Sequence, residues 1–219
     1  MDHLNLILFS WLNGPASPGF LQLGVDRLAA EWLIWLVAIG FVLGYLRSGR
    51  AGRVAIIRTG MAAVVALAVN FTIAALWYHP RPFELGVGHQ LLPHAAETSF
   101  PSDHATVLFA VAFGLMAFGA RRIWWSLALC AAIAVAWARV WLGVHWPLDM
   151  AGSLAVAALA VMILRALDRT RPAVALTEAI LAISDRVFDL LHLPERVATR
   201  SGAGRQTQGE SADGNLTKV

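Results

Sequence analysis

The sequence predicts an all-α fold: a multi-pass transmembrane helical bundle of five spans, possible room for a sixth, and short interfacial helices at its N-terminus. Three observations predict it. Hydrophobic residues make up 58% of the 219 positions and charged residues 14%, with mean hydropathy +0.63, whereas a soluble domain carries about 25% charge. That balance excludes a disordered chain and argues against an ordinary cytosolic enzyme. Second, the apolar residues gather into five runs near the length of about 17–20 residues that a bilayer requires. Third, all but one of the 17 basic residues are Arg, most of them at the ends of those runs. Spread in this way they read as topology signals, so the basic pI of about 9.7 implies a membrane partner and no nucleic acid. A lone cysteine, Cys130, excludes an internal disulfide and a multi-cysteine metal site. Its apolar neighbours predict an inert, buried thiol.

The first span is expected from Leu28 to Leu46, its end charges snorkelling to the interface. The others are expected over Thr59–Tyr78, His104–Ala120, Ile123–Ala138 and Leu148–Leu164. Arg47, Arg50, Arg53 and Arg58 separate the first two. Arg121 and Arg122 separate the third and fourth, and Arg165, Arg169 and Arg171 follow the fifth. Short loops rich in Arg stay in the cytoplasm, which leaves residues 79–103 and 139–147 on the opposite face. In residues 1–27, Leu4–Leu12 is too short to span and is followed by the turn-forming run Asn13–Gly19. Short interfacial or re-entrant helices suit it better than a signal peptide, because Asp2 and His3 make a poor basic leader. A sixth span there stays open.

Residues 1–171 therefore form the membrane-embedded domain. In residues 172–198, Leu176, Ile180, Ile183, Val187, Leu190 and Leu191 recur at steps of three and four, opposite Glu178, Asp185, Arg186 and Asp189. This predicts an amphipathic helix on the cytoplasmic surface. Residues 199–219, rich in Gly, Ser, Gln and Thr, predict a disordered tail.

Ionisable residues near the spans cluster at three places: Arg81, then Ser102-Asp103-His104, then Arg139, His145 and Asp149. The topology brings all three to one membrane face. Singly each has a structural explanation: Ser102 as a helix N-cap, Asp149 as a favourable first-turn charge, Arg139 as a partner for a helix C-terminus. Together, two arginines, two histidines, a hydroxyl and two helix N-termini describe an anion site. Two guanidinium groups would repel a metal cation, so His104 and His145 are not expected to be metal ligands. The four-residue spacing of His145 and Asp149, with Pro147 opening the helix, lets the carboxylate hold one imidazole nitrogen and leave the other free to attack.

These residues also carry a resemblance. Pro101-Ser102-Asp103-His104 resembles the P-S-G-H element of the type-2 phosphatidic acid phosphatase superfamily. Ala138-Arg139 with His145 and Asp149 resembles its S-R-x5-H-x3-D element, and Arg81-Pro82 the end of its K-x6-R-P element. Order and spacing match from about Asn70 to Gly152. Three positions depart: Ala74 stands where the family has Lys, Asp103 where it has Gly, and Ala138 where it has Ser. The P-S-D-H form, with Pro80–Phe83 and Ser99–His104, is similar to the bacterial undecaprenyl-diphosphate phosphatase branch, of the bacitracin-resistance type.

The resemblance implies an enzyme of the cytoplasmic (inner) membrane, its active site facing the periplasm or exterior. Its substrate would be a polyprenyl diphosphate, hydrolysed to undecaprenyl phosphate and inorganic phosphate with no metal and no cofactor. By the same analogy His145 becomes a phosphohistidine, His104 protonates the leaving oxygen and Asp149 orients His145. Arg81, Arg139, Ser102 and Asp103 make up the phosphate-binding set. Phosphatidylglycerol phosphate, phosphatidate and lipid A are alternative substrates, and a non-catalytic phospholipid carrier is an alternative of another class. Trp77, Tyr78 and Trp146 suit an ordinary aromatic belt better than the border of a lipid entrance. His94 and Glu97, near the catalytic segment, suit either loop hydrogen bonding or contact with the diphosphate.

Overall fold

The computed structural model describes residues 3–190, and within them every extended element is a helix. In order these are α1 (His3–Leu12), α2 (Phe20–Arg47), α3 (Arg50–Leu76), α4 (Asp103–Ala117), α5 (Arg122–Trp141), α6 (Pro147–Leu167) and α7 (Arg171–Leu190), with one 3-10 turn over Pro82–Leu85. The part of the predicted amphipathic segment beyond residue 190, and the predicted tail, lie outside the described residues.

Four of the helices, α2, α3, α5 and α6, are long and apolar enough to cross a membrane. The fifth expected span, α4, has 15 residues, about 22 Å of helix at 1.5 Å per residue. It is the central helix, packed against α3, α5 and α6. Small residues allow this: Ala105, Ala110, Ala132, Ala157 and Ala160 line the core around Leu108 and Phe109. At Gly114 a side chain would collide with Thr59 of α3. The outer helices have the reverse pattern. In α2 only Ala30 is fully buried, while Trp32, Trp35, Leu36, Ile39 and Val42 face outward. So much uncovered apolar surface suits lipid rather than water.

Several expectations need correction. The first span begins at Phe20, directly after Pro18-Gly19, so Asp26, Arg27 and Glu31 sit within its outer turns. Likewise α3 begins at Arg50, and the supposed basic loop is mostly helix. Its arginines reach acidic partners across the fold: Arg50 to Glu178, Arg53 to Asp185 at 2.9 Å, and Arg58 to Asp168 at 2.8 Å. The acidic face of α7 therefore docks on α3, leaving Leu176, Ile183, Val187 and Leu190 exposed. Cys130 is exposed, not buried; it shares the outward face of α5 with Leu127, Ile133 and Trp137, while its neighbours Ala131 and Ala132 turn into the core. Trp146 is fully buried against Phe9 of α1, ring centroids 5.0 Å apart, and so belongs to no aromatic belt. Trp77 and Tyr78 are exposed.

As expected, α1 is too short to span. Its Asn5 and Phe9 are buried, and Asn5 Oδ1 accepts the Leu148 N–H at the start of α6 (3.1 Å). Asn13 then ties the long α3–α4 loop to the end of α5. It donates to the carbonyls of His89 and Trp141 (both 3.0 Å) and accepts the His89 N–H (2.7 Å). The α5–α6 connection depends on Gly143, at φ 77° with the His89 carbonyl 2.1 Å from where a Cβ would stand. Only glycine fits that backbone and that approach.

Candidate active site

The α3–α4 loop, the N-terminus of α4, the C-terminus of α5 and the start of α6 converge at one end of the bundle. Arg81 joins two of these segments. Its Nε donates to the Glu97 carbonyl (3.0 Å) and Nη2 to the Thr98 carbonyl (3.3 Å), both in its own loop. Its Nη1 donates to the Val144 carbonyl (2.8 Å) and lies 3.1 Å from His145 Nε2. Burial lowers the Arg81 pKa, offset by the charges of Asp149, Glu97, Glu84 and Asp103; an arginine so placed stays cationic.

That contact fixes the state of His145. A guanidinium has no acceptor atom, so Nε2 must accept, and the ring proton resides on Nδ1. Nδ1–H donates to the Ser99 carbonyl at 2.9 Å and faces Asp149 Oδ2 at 3.2 Å. The ring is thus a neutral imidazole with its Nε2 lone pair beside a cation. Burial pushes the His145 pKa well below its ordinary 6.5, and Arg139, Arg81 and His94 add to the effect against the Ser99 carbonyl. A lowered histidine pKa keeps the neutral form on the acid side of the usual range. In detergent, the NMR signals of His145 should therefore not titrate between about pH 8 and pH 6, where an ordinary histidine changes charge; a midpoint near 6.5 would contradict the site's geometry.

Asp149 is fully buried. Its Oδ2 accepts the Trp146 N–H (2.8 Å) and the Ser99 hydroxyl, and its Oδ1 stands 3.7 Å from His79 Nδ1. It is a first-turn carboxylate of α6 and lies 3.2 Å from His145 Nδ1. Orientation of His145 is shared with Ser99, which sequence reasoning gave no role. Gly152 helps bring that loop in: a Cβ there would meet the Phe100 ring at 2.3 Å.

Ser102 precedes α4 but makes no side-chain cap, and its buried hydroxyl has no hydrogen-bond partner. The N-cap explanation therefore does not account for it. Asp103, in the first turn, is exposed and accepts from Asn70 Nδ2 at 3.0 Å. Asn70, also bonded to Thr106 (3.0 Å), is a second residue that sequence reasoning passed over. Arg139 is buried; Nη1 donates to the Ala30 carbonyl (3.2 Å), Nη2 lies 3.1 Å from His94 Nε2, and Nε makes no hydrogen bond. His104 lies within electrostatic reach of Arg139, His94 and Arg81. The structure thus brings Arg81, Ser102, Asp103, His104, Arg139, His145 and Asp149 to one end of the bundle, sets His94 beside Arg139, and adds Ser99. Ala74, in place of the family lysine, lies within α3. Among the described residues no three His, Cys, Asp or Glu side chains converge as metal ligands would.

Two buried guanidinium groups, a buried hydroxyl without a hydrogen-bond partner and a helix N-terminus thus gather around a neutral histidine at one end of a membrane-helix protein. Residues 54–173 match the PAP2 superfamily, and the chain belongs to it. It is 39% identical over 155 residues to the candidate undecaprenyl-diphosphatase YbjG of Escherichia coli (strain K12), covering 70% of this chain and 77% of that one. It is 30% identical over 154 residues to the undecaprenyl-diphosphatase BcrC of Bacillus subtilis (strain 168), covering 70% and 79%. The fold is similar to the crystal structure of Aquifex aeolicus LpxE, with TM-score 0.59, 21% identity, and coverage of 74% of this chain and 95% of that one.

Proposed function

We propose that this protein hydrolyses undecaprenyl diphosphate to undecaprenyl phosphate and inorganic phosphate through a phosphohistidine at His145. The single observation that carries the chemistry is the Arg81–His145 contact, in which Nε2 accepts from a guanidinium that a bound phosphate would draw to itself, exposing the lone pair beside a phosphate-binding cation. The names of the relatives carry the substrate.

His145 Nε2 attacks the terminal phosphorus in line, the bridging P–O bond breaks, and the lipid leaves as its monophosphate. Arg81, Arg139 and the Ser102 hydroxyl hold the equatorial oxygens, and Asp103 contributes through the unpaired N–H groups at the start of α4. As the ring becomes cationic, Nδ1–H is stabilised by Asp149 and by the Ser99 carbonyl. His104 gives a proton to the leaving oxygen. It then takes one from the water that cleaves the N–P bond and releases phosphate.

Residues 1–171 are the catalytic domain in this reading, α4 makes the fifth crossing, and α7 lies along the cytoplasmic surface. The site faces the periplasm or exterior, because the arginines of α3, of the α4–α5 turn and after α6 favour the cytoplasm. With Cys130 first replaced by alanine, a cysteine at Leu85 should react with an impermeant thiol reagent in intact cells. One at Gly49 should require permeabilised membranes. The reverse pattern would put the site in the cytoplasm. The substrate is tested by kcat/KM over a panel of phosphorylated lipids in one detergent, where undecaprenyl diphosphate should lead. A phosphatidylglycerol phosphate, phosphatidate or lipid A preference would assign another substrate. Absence of phosphate release from every lipid would leave a carrier.

A further inference from the structure

Two imidazoles, His104 and His145, take part in the reaction above, and a third one, beside Arg139, has no part in it. The third, His94, belongs to the α3–α4 loop and is half-buried. Its Nε2 stands 3.1 Å from Arg139 Nη2. Since the guanidinium can only donate, Nε2 accepts and the proton lies on Nδ1, which donates to the Ala95 carbonyl at 3.1 Å. The His94 ring is 6.3 Å from that of His145, centroid to centroid, with the planes at 75°. The charge of His94 is felt at both His104 and His145, so His94 lies on the side of the site that both histidines face.

That side faces different demands from one phosphate and from two. A lipid monophosphate leaves as an alkoxide and needs a proton. A diphosphate leaves as a phosphate monoester, a far weaker base, but brings a second anionic phosphorus group that must be held. Arg139 is already engaged there, through Ala30 and His94. A phosphoryl oxygen that takes the Arg139 Nη2 N–H now given to His94 frees the Nε2 lone pair, which can then accept a proton and, as an N–H, donate to the same anion.

We propose that His94 is the subsite residue for the second, lipid-proximal phosphate and makes the site prefer diphosphates to monophosphates. The proposal rests on the lipid-diphosphate reading of the site. The charged and titratable groups around His94 are Arg81 and Glu97 from its own loop, Arg139 from α5, His104 from α4 and His145 from the α5–α6 connection. In the empty site burial lowers the His94 pKa. Arg81 and Arg139 add to this, against upward pulls from the Ala95 carbonyl and Glu97. An anion seated between the arginines reverses the sign of that field, so binding draws in a proton.

His94→Gln keeps an acceptor for Arg139 but cannot take up a proton. Detergent-purified protein is titrated calorimetrically with methylenediphosphonate and, separately, with inorganic phosphate, at about pH 6.5 in two buffers of different ionisation enthalpy. The substitution should weaken methylenediphosphonate about tenfold, the loss of one charge-assisted hydrogen bond, and leave phosphate within about twofold. Proton uptake with the diphosphonate should be smaller in the variant than in the wild type. His94→Asn, read in the same way, guards against a variant that fails to fold. Equal weakening of both ligands would reduce His94 to a support for Arg139, and unchanged affinities would remove it from the site; either result overturns the proposal. Phosphate release from farnesyl diphosphate by the wild type is measured alongside. Its absence would sink the functional reading without touching the binding preference.

Discussion

His145→Ala should lower kcat by at least about two orders of magnitude with little change in phosphate binding, because it removes a group that acts only in the transition state. The lone pair is fixed in place: the ring proton is held on Nδ1 by Ser99, and Nε2 faces Arg81. Affinity should persist because Arg81 keeps its bonds to Val144, Glu97 and Thr98 without the imidazole. The variant loses a buried ring, so a thermal midpoint and a phosphate titration must accompany the rate. Activity within tenfold of the wild type would remove His145 from the chemistry. A loss of binding equal to the loss of rate would make it a structural residue.

The second large effect is expected at Arg81. Its guanidinium spans four acceptors in two segments, and a lysine ammonium is a point donor that cannot reproduce the planar fork. Arg81→Lys should therefore leave buried carbonyls among Val144, Glu97 and Thr98 without a donor and release His145 to either tautomer. It should also withdraw a cation from the developing charge. Removing one such preorganised donor typically costs about 100- to 1000-fold in rate, and the loss should appear in kcat/KM together with a lower thermal midpoint. NMR of labelled histidine should show His145 shifting from the Nδ1–H form toward a mixture. A rate loss below tenfold with the tautomer unchanged would dismiss Arg81 as the clamp.

What the sequence made legible followed from short-range periodicity. Apolar runs located the four helices long and apolar enough to cross a membrane, and the interval from His145 to Asp149 placed both at the opening of α6. Arginines bounded those runs, but their helical placement was not visible: Arg50, Arg53 and Arg58 continue α3, paired with Glu178 and Asp185 of α7 and with Asp168 at the end of α6, all more than a hundred residues later. The same limit hid Ser99, whose hydroxyl meets Asp149 fifty residues away, and Asn13, which grips His89 across 76 residues. In a loop rich in polar residues neither has a local pattern that sets it apart. Trp146 and Cys130 failed for a related reason. An apolar neighbourhood in a membrane protein describes a lipid face as readily as a core, and only the packing of α1 and α5 decides between them.

The most direct test of the account is the covalent state of the enzyme during turnover. Wild-type protein is mixed with farnesyl diphosphate labelled in its terminal phosphate, quenched in alkaline detergent and mapped by peptide mass spectrometry. The account predicts label on His145, stable to alkali and lost in acid, and none in His145→Ala. Label on His104, or steady phosphate release with no labelled protein at any time, would contradict it.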